Sequence, residues 1–357
     1  MRNSALGPPS AADINIASRL PGCPKATGRV AINELGAAAH QNGEHILKIT
    51  VVLCTYNRCR SLANTLQSLS ASELPDAVEW EVLVVDNNSD DRTRETIEHF
   101  CCKYVPHFRY LFEKQQGKSH ALNAGIREAR GDIVAFTDDD VVVEPTWLHN
   151  LTTALQSGQW VGGGGRILPE QGLSLPRWLT IDGQYSMGGV LALFDRGDKP
   201  GQLDWAPFGA SMAFRREMFE KYGEFRTDLG PPPSGLRGED TEFGYRLMAA
   251  GERLWYEPSA IAYHCTPANR IRKEYFLGWW FGFGRASVQK WGRGANVLGI
   301  PRRYLTIVKI AASTLVTIVP LWVLALKPQR RFFYKALIWR KAGEIYESYQ
   351  QAQLTSS

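Results

Sequence analysis

The chain has 357 residues, 44% of them hydrophobic, with 41 lysines and arginines against 36 aspartates and glutamates and a formal net charge of +5. That length supports one large α/β domain with additions, or two modest domains, and excludes a small scaffold stapled by disulfides or metal. So mild a charge gives no reason to expect a nucleic-acid partner, and its uneven placement, weighted to the C-terminal end, says more than its total.

Residues 1–45 mix Gly, Pro, Ala and Asn without a helical or strand period and are expected to form a disordered extension. MRNSALGPPS lacks the continuous apolar core of a signal peptide, so export is not expected. The cysteines, at 23, 54, 59, 101, 102 and 265, show neither a CxxC pair nor zinc spacing and are read as reduced thiols in a cytosolic setting.

Ordered structure is predicted from Ile46, where ILKITVVLC has the apolar, β-branched character of a parallel strand covered on both faces. Leu62, Leu66 and Leu69 follow at helical spacing, and EVLVVD, ending at Asp86, reads as a second buried strand. A helix near Thr93 to Cys101, a short strand FRYLFE, a helix from Lys118 to Ala129 and the strand of GDIVAFTDDD continue the alternation. This pattern predicts an α/β fold with a Rossmann-like parallel sheet flanked by helices. Thr55, Asp86 and Asp138 fall at the carboxyl ends of three of its strands, where such sheets bind ligands.

The second half is less regular. Gly162 to Gly165 are read as a strand-edge loop, and the Pro231 to Pro233 run as another loop. Helices are expected over Glu239 to Ala250 and Arg272 to Lys290, the latter carrying a dense aromatic cluster.

Three successive carboxylates, Asp138, Asp139 and Asp140, repel one another unless a cation or hydrogen-bond donors compensate them. They suit Mn²⁺ or Mg²⁺, although a solvated acidic turn has the same composition. Glu239 and Asp240 stand at the start of a predicted helix, where acidic residues also serve simply as caps. His264 follows an apolar, strand-like segment and is either structural or a ligand.

With Thr55-Tyr56-Asn57, Asp86, Asp138-Asp139-Asp140 and Glu239-Asp240 in this order, the sequence resembles glycosyltransferase family 2 from about Ile49 to Ala286. The resemblance implies a GT-A fold and an inverting transfer from a nucleoside-diphosphate sugar, with UDP expected as the nucleotide. It implies that Asp86 contacts the donor base while Thr55 and Tyr56 line the same pocket. Lys118 and Asn123 match a stretch that closes over the donor, and Asp138 is placed near the ribose. Asp140 is expected to ligate the metal, with Asp139 in the variable middle position and His264 facing the metal or the diphosphate. Asp240 is the first candidate for the catalytic base and Glu239 the second. A non-catalytic nucleotide-sugar-binding or membrane scaffold protein of the same fold remains the alternative, whereas a dinucleotide enzyme is disfavoured by the lack of GxGxxG after the first strand.

These features divide the chain into an extension (1–45), a GT-A catalytic domain (46–290) and a C-terminal apolar and basic helical region (291–357). Ile310 to Leu326 is uncharged and apolar but shorter than the roughly 20 residues that span a bilayer. Arg302, Arg303, Lys327, Arg330 and Arg331 flank it, so contact with a membrane surface is expected, as a peripheral or re-entrant element on the cytoplasmic side. That location suits a glycan or a lipid-linked acceptor.

Overall fold

The computed structural model describes residues 46–230, 237–291, 296–297 and 300–354; the expected extension and the Pro231 to Pro233 run lie outside them. The first half alternates as its apolar runs require: β1 (Leu47–Thr55), α1 (Cys59–Leu69), β2 (Val78–Asp86), α2 (Thr93–Lys103), β3 (Phe108–Phe112), α3 (Lys118–Glu128) and β4 (Ile133–Asp138). These strands lie side by side in the order β3-β2-β1-β4, all parallel. Val51, Val52 and Leu53 of β1 and Val82 to Val85 of β2 are fully buried, because helices cover both faces of the sheet. α1 turns Leu62, Leu66 and Leu69 inward at their three- and four-residue spacing.

The chain continues through β5 (Val141–Val143), α4 (Trp147–Thr153), β6 (Gly162–Pro169), β7 (Gly201–Gln202), β8 (Met212–Arg215), α5 (Glu217–Tyr222), α6 (Glu239–Ala249), β9 (Leu254–His264) and α7 (Lys273–Trp291). Here the sheet becomes mixed. β8 enters antiparallel between β4 and β6, β6 runs parallel to β9, and β5 closes antiparallel on β9. The reversal follows from connectivity: β6 leaves the sheet at Pro169, and the excursion over 170–211 returns the chain to the same end.

The four glycines expected as a loop are instead buried strand residues of β6. A Cβ on Gly162 would overlap the ring of Phe214, and one on Gly165 would overlap the Ala260 carbonyl, so the absence of side chains lets the neighbouring strands and Phe214 close in.

C-terminally, α8 (Arg302–Ser313) runs through a π turn (Thr314–Ile318) into α9 (Val319–Val323), followed by α10 (Pro328–Leu354). Leu305–Val323 forms one helix of 19 residues with mean hydropathy 1.8, of which 6% is buried; by length and composition it could cross a membrane. The helix starts earlier than the uncharged run and takes in Lys309. α10 packs along α7, where a Cβ on Gly284 would overlap the Arg340 carbonyl and one on Gly343 that of Phe281. The described residues from Ile46 onward group into one compact unit.

Cys54, Cys59, Cys101 and Cys265 are free thiols.

Candidate active site

Register delivers the predicted polar residues to one edge of the sheet. Thr55 pairs with Asp86, and Cys54 with Asp138, so three strand ends lie abreast. The turns beyond β1 and β2 interlock: Asn57 Oδ1 accepts from Asp90 N at 2.9 Å, and Ser89 Oγ accepts from Asn57 N at 3.0 Å. Asp86 is buried, its Oδ1 accepting from Ser89 N (2.9 Å) and its Oδ2 from the Tyr110 hydroxyl (3.2 Å). The next residue, Asn87, shapes the loop between β3 and α3. Its amide donates to the carbonyls of Glu113 (3.2 Å) and Gln115 (2.7 Å), and its Oδ1 accepts from Gly117 N (2.9 Å). Gly117 has φ 136°, a conformation that side-chain-bearing residues rarely adopt, and releases the chain into α3 at Lys118.

A cavity of about 1000 Å³ opens at this edge, at the upper end of the volumes of small-molecule sites. It is lined by Thr55, Tyr56, Lys118, Asp138, Asp139, Asp140, Glu239, Asp240 and His264. Eight of the ten residues expected from sequence therefore come together, with Asp139 beside them. Asp86 lies behind this lining. Asn123 does not reach it: the side chain is buried and spent on the backbone of Phe225, donating to its carbonyl (2.8 Å) and accepting from its N–H (3.0 Å). Asn123 thereby clamps α3 to the segment between α5 and α6.

The acidic triplet is divided among different partners. Lys118 Nζ donates to Asp138 Oδ1 at 2.6 Å and stands 3.9 Å from Glu239 Oε1. Burial opposes charge on Lys118, but Asp138, Glu239 and Asp240 outweigh it and hold the ammonium above its usual range. Asp139 accepts from Thr55 Oγ1 (2.8 Å) and Arg58 Nη1 (2.7 Å), and burial pushes its carboxyl up to about 6 against the pull of Arg58. Asp140 receives the same Arg58 Nη1 at 2.9 Å, with Arg270 Nη1 at 3.3 Å and His264 Nε2 at 3.4 Å. Burial works against its ionisation, yet His264, Arg58 and Arg270 together keep it well below the carboxylate range. Val141 pairs with His264 across β5 and β9, and Cys265 N donates to the Asp140 carbonyl at 2.8 Å, which sets the imidazole against the carboxylate.

Across Lys118 from Asp138, Glu239, Asp240 and Glu242 fill the first turn of α6, where the helix dipole favours negative charge. Glu239 is buried, and that burial, with Asp240 beside it, raises its carboxyl. Asp240 Oδ2 accepts from Gly209 N at 2.8 Å and Oδ1 from Thr241 N at 2.7 Å, so two backbone donors fix the carboxylate at the cavity. Gly244, one turn further on, admits Ala206 and Pro207 where a Cβ would crowd them.

Over residues 50–223 the sequence matches the family described as Glycosyl transferase family 2. That match spans just under half of the chain. This glycosyltransferase is similar to the succinoglycan biosynthesis protein ExoM of Rhizobium meliloti, 29% identical over 226 residues covering 63% of this chain and 69% of that protein. It is 26% identical over 265 residues to the probable glycosyltransferase YdaM of Bacillus subtilis, covering 71% of this chain but only 56% of the relative. Its fold resembles that of the mannosyltransferase PcManGT from Pyrobaculum calidifontis, solved in complex with GDP-Man and Mn²⁺. There the TM-score is 0.56, with 18% identity and coverage of 85% of this chain and 88% of that one.

Sequence reasoning missed Arg58, Asn87 and Arg270. The signal for the two arginines was present as a need, since three adjacent carboxylates require cations, but neither position lies near the triplet in sequence.

Proposed function

We propose that this enzyme transfers a sugar from a nucleoside-diphosphate donor, UDP-linked, to a glycan or lipid-linked acceptor with inversion at the anomeric carbon. The observation that carries this reading is the convergence of Asp138–Asp140 and the doubly anchored Asp240 on one cavity. Thr55, Tyr56 and Asp86 would serve the base, Asp138 and Lys118 the ribose and phosphates. A scaffold that only bound a nucleotide sugar would not need a further carboxylate anchored at the cavity.

The residues present fit a divalent cation. Asp140 offers a hard oxygen and His264 an imidazole 3.4 Å away; an ion held by these two would complete its shell with diphosphate oxygens and water. Mn²⁺ or Mg²⁺ held by Asp140 and His264 would neutralise charge on the leaving diphosphate.

Asp240 takes the proton of the acceptor hydroxyl as that oxygen forms its bond to the anomeric carbon. The bond from this carbon to the diphosphate oxygen breaks with its electron pair on the diphosphate, on the face opposite the attack. Lys118, held above its usual range, remains a cation beside Asp138 and supports that charge. Glu239 keeps Lys118 in place and is the second candidate for the base.

The exposed Leu305–Val323 helix with Lys327, Arg330 and Arg331 after it favours contact with an anionic membrane surface, peripheral or re-entrant on the cytoplasmic face.

A panel of UDP-, GDP- and dTDP-sugars with Mn²⁺ tests the transferase reading. Nucleotide release from one donor by the wild type and not by Asp240→Asn is expected. Release from none, by a folded protein that still binds a nucleotide, would favour the scaffold.

A further inference from the structure

Among the described residues, two of the aromatic side chains that line the cavity are left largely exposed: Tyr56 at 47% and Trp205 at 50%. Tyr56 directly follows Thr55 at the end of β1, with the groups proposed for the donor base. Trp205 belongs instead to the segment that leads into β8, and it takes no part in the chemistry proposed above.

That segment is tied along α6. The Trp205 ring meets Tyr245 of α6 edge-on (centroids 6.2 Å, 67°). Ala206 and Pro207, both buried, lie against Gly244, and Gly209 N donates to Asp240 Oδ2 at 2.8 Å. Residues 205–209 thus carry both the exposed indole and the bond that anchors the proposed base. Asp240 and Tyr245 both line the cavity and stand five residues apart, about 7.5 Å along the axis of α6. One hexopyranose, with a hydrogen bond from its hydroxyl, covers that span.

The indole also has a polar border. Asp204, next to it in the chain, is well exposed and pairs with Arg196 at 2.7 Å. Burial raises the Tyr245 hydroxyl above its usual range; Asp204 and Arg196 act on it with opposite signs, so this ion pair stands beside the ring that backs Trp205. Exposed apolar surface rimmed by polar groups marks a place where a ligand settles. A flat ring bordered by a carboxylate, a guanidinium and a hydroxyl fits a pyranose, which presents a face of C–H bonds and an edge of hydroxyls. An alkyl stem would leave the border without partners. We propose that Trp205 is the stacking platform for the terminal pyranose of the acceptor, whose ring lies on the indole while its attacking hydroxyl reaches Asp240. The acceptor end is then a sugar, not a bare lipid phosphate or a protein side chain. Its role as acceptor rests on the transferase reading above; the sugar subsite itself does not.

The test follows saturation transfer by NMR from the full chain to the ring protons of methyl β-glucopyranoside, methyl β-galactopyranoside and methyl α-mannopyranoside, with cyclohexanol as an apolar ring of the same size. UDP with Mn²⁺ is titrated in parallel. Transfer to the C–H protons on one face of at least one of the sugars is expected, with affinity at least about fivefold weaker in Trp205→Ala and within about twofold of wild type in Trp205→Phe. UDP affinity is expected to be unchanged in both variants, which also reports that they fold. Transfer to none of the three sugars, or transfer undiminished in Trp205→Ala, would overturn the proposal. Cyclohexanol binding as tight as that of the sugars would leave a plain apolar patch and overturn it as well. UDP binding together with any of these results leaves the donor reading standing, whereas sugar binding that needs Trp205, without UDP binding, supports the subsite and removes the transferase reading.

Discussion

The backbone N–H of Gly209 donates to Oδ2 of Asp240 at 2.8 Å, joining the segment before β8 to the first turn of α6. Gly244 lets the same segment lie close against the helix, so the carboxylate proposed as the base is fixed from outside its own element.

Asp240→Asn keeps the shape of the side chain and removes its basicity. Turnover is expected to fall by about 10²–10⁴-fold, with nucleotide affinity within twofold or so of wild type. Glu239→Gln, which weakens the hold on Lys118, should reduce donor affinity more than turnover. Steady-state kinetics with a saturating acceptor separates the two, and near-normal turnover in Asp240→Asn with none in Glu239→Gln would reverse the assignment.

Asn123→Ala leaves both the N–H and the carbonyl of Phe225 buried without their partner. A loss of about 1–3 kcal/mol per orphaned group is expected in denaturant unfolding. Nucleotide affinity of the folded variant should not change. A selective loss of donor binding at unchanged stability would restore Asn123 to the donor site.

Much of this architecture could be read in the amino-acid order, and for a physical reason. β1, β2 and β4 are apolar runs, each closed by a polar residue at Thr55, Asp86 and Asp138, because both sheet faces are covered and the chain turns off the sheet only at the strand end. The direction of β8 was not readable: MAFR is a four-residue apolar piece whose orientation depends on how the chain returns over 170–211. Gly162 to Gly165 read as a loop because local propensity disfavours glycine in strands, and the closeness of Phe214 and Ala260 that requires it is tertiary. Arg58 and Arg270 were missed because their carboxylates are about 80 and 130 residues away along the chain.

Arg58 bridges Asp139 and Asp140 through a single nitrogen. Arg58→Ala returns these buried carboxylates to mutual repulsion. Its melting temperature in EDTA is expected to lie below that of the wild type, and Mn²⁺ should raise it by more than it raises the wild type, because the cation then supplies the missing charge. Differential scanning fluorimetry checks both shifts; an equal Mn²⁺ effect in the two proteins would place the ion elsewhere.

Asp91 accepts from Cys59 N (3.1 Å) and Thr93 N (2.9 Å) and from the Thr93 hydroxyl, tying the starts of α1 and α2 together. Burial, the largest single influence, raises its carboxyl, but these donors together prevail and hold it below the ordinary 3.8. A depressed folded-state value stabilises the fold above the unfolded value and loses that contribution as pH falls through the folded one. The stability gap between wild type and Asp91→Ala should therefore be full at neutral pH and narrow below about pH 4. A gap that widened on acidification would contradict the sign.

Calorimetric titration of the purified chain with UDP, GDP and dTDP, each with Mn²⁺ and with EDTA, and repeated on Asp140→Ala, addresses the donor site most directly. Binding of UDP that requires Mn²⁺ and disappears in the variant is the predicted result. Nucleotide binding that is equally strong in EDTA and in Asp140→Ala, or no binding by the folded protein, would contradict it.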